Sequence, residues 1–440
     1  MPGDMRPGDK PPALPGAPFD GGRCATWRAG AALAGAGILV GSFDLGAIAV
    51  ALKPLTHQWH LSTPLVTTLG TITLIGMLVG SVTTGFLTDR FGRRRVLVLD
   101  LLAFLISGIA GALSPDYAVL LVCRLLTGVA IGTDFAVVFP YVAEIAPKGS
   151  RGRAMAWIMW SANFGVLLAY ATGALFLHLS SQGWRLELGF GALLALPLVG
   201  LRRRIGESQS WATQRLASWR HILRDTFYEA RHGSLAVMAA NWFLYQVSDQ
   251  GLTLLLPLIV ATVLTQSAAN GALGATAIKA VTIPAAFVTV LLIEAIGYRP
   301  LQLIGFAARG VILTALGLLL MLSTHAPDGL VAALLALAFF FGAGGPDKTI
   351  VIAPAMAFPT KVRASSQGIS EASGRLGGIV GVTGYGLLAG LAGPGAGIML
   401  FAGTCLIGAI LTASVMGRPK GTARHEIAVT LAPEPSARSS

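Results

Sequence analysis

The stretch Gly85-Phe86-Leu87-Thr88-Asp89-Arg90-Phe91-Gly92-Arg93-Arg94 is a short charged interruption between two apolar runs, 66–88 and 95–113. Each run has roughly the 20 residues that a helix needs to cross a bilayer core. Gly85 and Gly92 permit close helix approach and a tight turn. Asp89 and Arg90 fall at the end of a span, where a carboxylate meets the positive N-terminus of a neighbouring helix. Reading outward from this loop gives twelve apolar runs: 29–52, 66–88, 95–113, 118–143, 153–178, 185–201, 234–264, 273–296, 300–322, 329–357, 365–391 and 394–416. The run 185–201 is short and carries Arg185 and Glu187 at its start. Composition agrees: 12% of the 440 residues are charged, about half the usual share of a soluble domain, and mean hydropathy is +0.70. A soluble enzyme, a disordered scaffold and a secreted disulfide domain are excluded, and an all-α polytopic membrane protein is expected.

The opening loop has an echo. Ile293-Glu294-Ala295-Ile296-Gly297-Tyr298-Arg299 follows the eighth run, with Gly297 lying 205 residues after Gly92. Pro147-Lys148-Gly149-Ser150-Arg151-Gly152 and Pro359-Thr360-Lys361-Val362-Arg363-Ala364 follow the fourth and tenth runs, with Arg363 lying 212 residues after Arg151. Two matches in register point to a duplicated unit and to two pseudo-symmetric six-helix bundles. The expected organisation is a tail over 1–24, a first bundle over 25–201, a linker with an amphipathic helix over 202–233, a second bundle over 234–417 and a tail over 418–440.

Net charge is +12, but its placement argues topology. The even-to-odd loops hold seventeen Lys and Arg, Arg202 among them, against two (Lys53 and Arg185) on the other side. The charged side is therefore expected to face the cytoplasm, with both termini inside a bacterial plasma membrane. No aromatic-interleaved basic groove supports nucleic-acid binding. Cys24, Cys123 and Cys405 lie far apart without metal-ligand spacing, so neither a disulfide framework nor a metal or other cofactor is expected. Nothing demands more than a monomer.

These residues resemble the major facilitator superfamily, whose loop motif matches Gly85 to Arg94. Further motifs resemble its sugar porters and phosphate:proton symporters: Arg124, Gly128, Gly132, Thr133 and Asp134 lead to Tyr141, Glu144, Pro147, Arg151 and Gly152. Gly206-Glu207-Ser208-Gln209-Ser210-Trp211 is a degraded copy of the sugar-porter Pro-Glu-Ser-Pro-Arg-Trp signature. Gly345-Pro346-Asp347 resembles the Gly-Pro-Asn of the phosphate symporters. The resemblance covers about 25–416 and implies the major facilitator fold and transport by alternating access. It implies a gate built from Gly85, Asp89, Arg90, Gly92, Arg93, Glu144, Arg151 and Glu207. The competing reading makes the basic members simple positive-inside anchors, which is the one adopted for Arg94 and Arg95.

Ionisable groups at membrane depth cost about 2.5–3.5 kcal/mol and usually face a cavity. Asp44 and Arg124 resemble the carboxylate–arginine pair of proton-coupled sugar porters, and Asp134 resembles the second carboxylate of the phosphate symporters. A nearby Arg124 favours ionised Asp44, and parting them favours proton binding. A static salt bridge is the alternative. Gly342, Gly344, Gly345 and Pro346 are expected to break span ten beside Asp347. On a regular helix Lys348 points elsewhere, toward a partner such as Asp249 or Glu371, and Glu371 pairs with Arg375 four residues on. Trp242, Gln246, Asp249, Gln250 and Thr253 form one polar helical face. With Asn163, Asp347 and Lys348 they are the candidate solute-binding residues, against inter-helix hydrogen bonding as the bland alternative. Lys279, Arg309 or Lys348 could meet a carboxylate.

The leading expectation is a proton symporter for a small polar or anionic organic solute. A uniporter, an antiporting exporter and a non-transporting sensor are the alternatives. The chain has no Gly-x4-Gly-Lys-Ser/Thr loop for ATP. Its seven His lie in loops or tails, so no catalytic constellation is expected.

Overall fold

The computed structural model describes residues 27–208, 224, 228, 234–263, 267–293, 295–323 and 326–416. The two tails, Cys24 and the centre of the linker's expected amphipathic helix, including Trp211 and Trp219, lie outside the described residues. Among the described residues, twelve spans are long and apolar enough to cross a membrane. They are Trp27–Gln58, Thr63–Phe91, Arg93–Ala112, Tyr117–Ile145, Arg151–Leu179, Gly183–Arg202, Leu235–Ala261, Ala268–Leu292, Tyr298–Leu322, Asp328–Ala357, Arg363–Ala392 and Pro394–Ser414, numbered one to twelve below. Helices are the expected solution, because they satisfy every backbone group internally where no water can. The chain is thus an integral multi-pass membrane protein.

Span two packs on four, one on five, and three on four and six. In the second half, span nine packs on twelve and seven on eleven. The halves meet along two seams, span two against eleven and span five against eight. Small residues set these distances. A Cβ at Gly128 or Gly132 would overlap the backbone carbonyl of Thr73 or Met77. At the seam, a Cβ at Gly85 would stand 2.8 Å from Ala364 O.

The duplication is visible in backbone detail. Gly92 and Gly297 adopt φ of 99° and 84°, and each starts the next helix. Arg151 Nε donates to Ala146 O and Arg363 Nε to Phe358 O, both at 3.1 Å. Both sequence offsets therefore correspond to repeated local structure.

Two spans are broken. Span ten stops at Ala343 and restarts at Pro346, as its Gly-Gly-Pro sequence requires. Span eight divides into Ala268–Ala280 and Thr282–Leu292, beside Pro284, which lacks the N–H that would bond Ala280 O. Span six is a full 20-residue helix. The chain beyond it stays on the first bundle through Ser208: Ile205 and Ser208 are buried, and Tyr141 Oη donates to Gly206 O at 3.0 Å.

Candidate functional site

A cavity of about 60 Å³ lies between the halves, walled by spans one, four, five, seven, eight, ten and eleven. The whole span-seven stripe, Trp242, Gln246, Asp249, Gln250 and Thr253, faces it, as do Asn163, Lys279, Asp347 and Arg375. Phe135, Leu45, Met159 and Val166 supply an apolar portion. Contacts between the halves flank the cavity on both sides. Asn163 Nδ2 donates to Asp347 Oδ2 at 3.0 Å, and Tyr170 Oη donates to Thr253 O. Farther toward the end opposite the arginine-rich loops, Lys53 Nζ donates to Ala261 O at 2.8 Å.

Charges around the cavity come mostly in private pairs. Arg124 is paired with Asp44, and Arg309 with Asp249 at 2.7 Å. Asp249 lies 205 residues after Asp44, the offset between Gly92 and Gly297, so each half opens with a helix carrying an arginine-paired aspartate. Lys348 pairs with Asp347 at 2.7 Å and Arg375 with Glu371 at 3.1 Å. The Lys348 geometry differs from the expectation of a more distant partner. Both residues lie in the first turn of the helix that Pro346 begins, and there the two adjacent side chains meet. Lys348 is fully buried behind Asp347 rather than on the cavity wall.

At the arginine-rich end the halves are joined by a charge network. Asp89 Oδ2 accepts from Ser365 N at 2.8 Å and Ser365 Oγ at 2.6 Å, and Asp89 pairs with Arg93 at 2.9 Å. Glu144 accepts from Arg93 at 2.9 Å and from Arg363 at 3.4 Å, and Arg93 also donates to Thr360 O at 3.3 Å. Glu207 accepts from the amides of Arg93 and Arg94 at 2.9 and 3.2 Å, capping the positive N-terminus of span three. Arg90 lies over the Phe91 ring, and Arg151 turns back onto Ala146 O.

Asp134 is held by Arg202 at 2.7 Å, and the same guanidinium reaches Asp100 at 3.3 Å. Arg202, counted as a loop charge in the topology argument, is in fact wholly buried at the end of span six. The reason is local: two carboxylates and the carbonyls of Leu33, Ala34 and Leu97 give its fork a complete set of acceptors. Gly37 leaves room for it, since a Cβ there would fall onto the Arg202–Asp134 pair. Sequence reasoning missed Asp100, Glu187, Ser365 and the inter-half role of Arg363. Glu187 is fully buried, with Oε1 accepting from Thr172 Oγ1 at 3.0 Å and no hydrogen-bond partner for Oε2 among the described residues. Its one signal in the sequence was a carboxylate inside an otherwise apolar run. No group of His, Cys, Asp and Glu among the described residues has metal-binding geometry, and Cys123 and Cys405 are buried free thiols.

The family model described as Major Facilitator Superfamily matches residues 34–346. The Probable inorganic phosphate transporter 1-8 of Arabidopsis thaliana is 27% identical over 427 residues, covering 80% of each chain. The Probable 4-methylmuconolactone transporter of Cupriavidus pinatubonensis is 28% identical over 351 residues, covering 79% of this chain and 80% of the other. Among solved structures, the proton:xylose symporter XylE, from E. coli, superposes with a TM-score of 0.76 at 18% identity, covering 91% of this chain and 98% of that one.

Proposed function

The chain belongs to the major facilitator superfamily, and on that premise we propose that it is a secondary active transporter moving a small polar or anionic organic solute by proton symport. The observation that carries this reading is a small polar cavity between two pseudo-symmetric halves, bordered by buried ion pairs. A pump driven by proton binding needs a carboxylate whose ionic partner can be withdrawn, and Asp44 with Arg124 is such a pair. Asp134, sharing Arg202 with Asp100, is a second candidate: two carboxylates on one cation leave one negative charge for a proton to neutralise.

The solute is bound by Asn163, Trp242, Gln246, Asp249, Gln250 and Asp347, with Lys348 holding Asp347 in place. The amides donate and accept, and the indole packs on a ring or carbon skeleton. The network of Asp89, Arg93, Glu144, Thr360, Arg363 and Ser365 latches the arginine-rich end. That end faces the cytoplasm of a plasma membrane, with Glu207, Gly85 and Gly92 shaping the latch and Arg90 and Arg151 bordering it. The halves 25–201 and 234–417 rock about the cavity, 202–233 connects them, and one chain suffices. The relatives support a solute transporter, and the buried pairs favour proton coupling over uniport.

The test is solute-stimulated proton uptake into proteoliposomes, screening phosphate, sugars and organic acids, with Asp44→Asn as the comparison. Symport predicts proton entry driven by one solute class in the parent and absent in the variant. Solute flux that moves no protons in either protein would make this a uniporter, with Asp44 a structural partner of Arg124.

A further inference from the structure

One cation on the cavity wall forms no salt bridge. Around the cavity the second half carries four buried cations, Lys279, Arg309, Lys348 and Arg375, against three carboxylates, Asp249, Asp347 and Glu371. Each carboxylate already holds an arginine or lysine at 3.1 Å or less. From the first half, Asp44 and Arg124 form a further closed pair.

Lys279 is left over. It is 3% exposed and lines the cavity. Its Nζ bonds Thr253 Oγ1 at 2.8 Å and lies 4.0 Å from the centroid of the Phe339 ring. No carboxylate among the described residues completes an ion pair with it. A hydroxyl and a ring face are weak compensation for an ammonium removed from water. The break after Ala280 in span eight places this lysine in the last turn of the first half-helix.

We propose that Lys279 is the anchor for the carboxylate of a monoanionic organic solute. The inference rests on the transport reading above and names the chemistry of its solute. The solute's carboxylate takes the Lys279 ammonium in a charge-assisted hydrogen bond, with Gln250, on the same cavity wall, supplying an amide donor. Trp242 and the apolar portion of the cavity receive the carbon skeleton. The surplus is a single positive charge, and Asp249 and Asp347 also face the cavity. Both facts select a monoanion over phosphate, whose second charge would meet those carboxylates.

The experiment uses the purified full chain and a ligand-stabilisation titration. The probes are acetate, lactate, phenylacetate, benzoate and 4-hydroxybenzoate, each against its primary amide, with inorganic phosphate and D-xylose alongside. At least one carboxylate is expected to bind about tenfold or more tightly than its amide. That preference should fall to within about twofold in Lys279→Met and should persist in Lys279→Arg. An unliganded melting temperature and a size-exclusion profile matching the parent show that the variant is folded.

A parent protein with no carboxylate-over-amide preference for any pair overturns the proposal, as does a preference that survives Lys279→Met, or phosphate or xylose as the tightest probe. Running the same panel in proteoliposomes separates the two readings. Charge-selective binding without flux would sink the transport reading and leave Lys279 standing. Flux of a neutral solute, indifferent to Lys279→Met, would do the reverse.

Discussion

Ser365→Ala tests the latch with the least collateral damage. The partners of Asp89 include the Ser365 amide at 2.8 Å, the Ser365 hydroxyl at 2.6 Å and Arg93 at 2.9 Å. Removing the hydroxyl deletes one charge-assisted hydrogen bond that crosses between the halves and leaves the carboxylate still paired. Such bonds contribute about 1.5–3 kcal/mol, and here both side chains of the Asp89–Arg93 pair are at most 1% exposed, so solvent offers little replacement. If the bond exists only while the arginine-rich end is closed, its loss shifts the open-to-closed ratio by about 10- to 150-fold. Electron–electron distance measurements between spin labels at Arg95→Cys and Lys361→Cys, in a Cys24→Ser background, read that ratio directly. Both reporter positions are exposed, and the other two cysteines are buried. The expected result is growth of a longer-distance population in Ser365→Ala. A distribution unchanged from the parent would refute the reasoning, because the bond would then be made equally in both states.

Three further outcomes follow from the buried charges. Asp44→Asn should abolish solute-driven proton uptake while solute counterflow persists; loss of both together would assign Asp44 to structure. Gly37→Ala puts a methyl group onto the Arg202–Asp134 pair and should cost about 1–3 kcal/mol, read as a lower melting temperature in detergent; an unshifted melting temperature would contradict the packing described. Arg202→Met strands Asp100 and Asp134 without their cation and should cost about 3–5 kcal/mol, largely restored by adding Asp100→Asn and Asp134→Asn; failure of that rescue would show that carbonyl capping, rather than charge balance, is what Arg202 supplies.

The fold was legible because bilayer physics writes it in one dimension: apolar runs of fixed length, charged loops and a repeat offset that survives in the φ angles of Gly92 and Gly297. The span-seven stripe was legible too, since helical periodicity alone puts Trp242, Gln246, Asp249, Gln250 and Thr253 on one face, and all five line the cavity. Partner identity was not legible. Arg202 reads as a loop charge because its acceptors come from spans one, three and four, distant in sequence. Lys348 reads as pointing away from Asp347, yet the two side chains pair within the first turn of the helix that Pro346 begins. Glu144 finds Arg363 across 219 residues, and only the docking of one half on the other determines that contact. Asp249 was equally illegible: it reads as a possible partner of Lys348 and pairs instead with Arg309.

Proton symport predicts that solute movement is thermodynamically tied to the proton gradient. The most direct measurement is the steady-state accumulation ratio of the transported solute in proteoliposomes under an imposed pH difference at zero membrane potential, with protein-free liposomes subtracted. Each coupled proton contributes about 1.4 kcal/mol per pH unit, so the ratio should rise about tenfold per unit for each proton carried and collapse to one when the gradient is dissipated. A ratio that stays at one whatever the gradient, with rapid solute entry, would contradict symport and leave facilitated diffusion through the same fold.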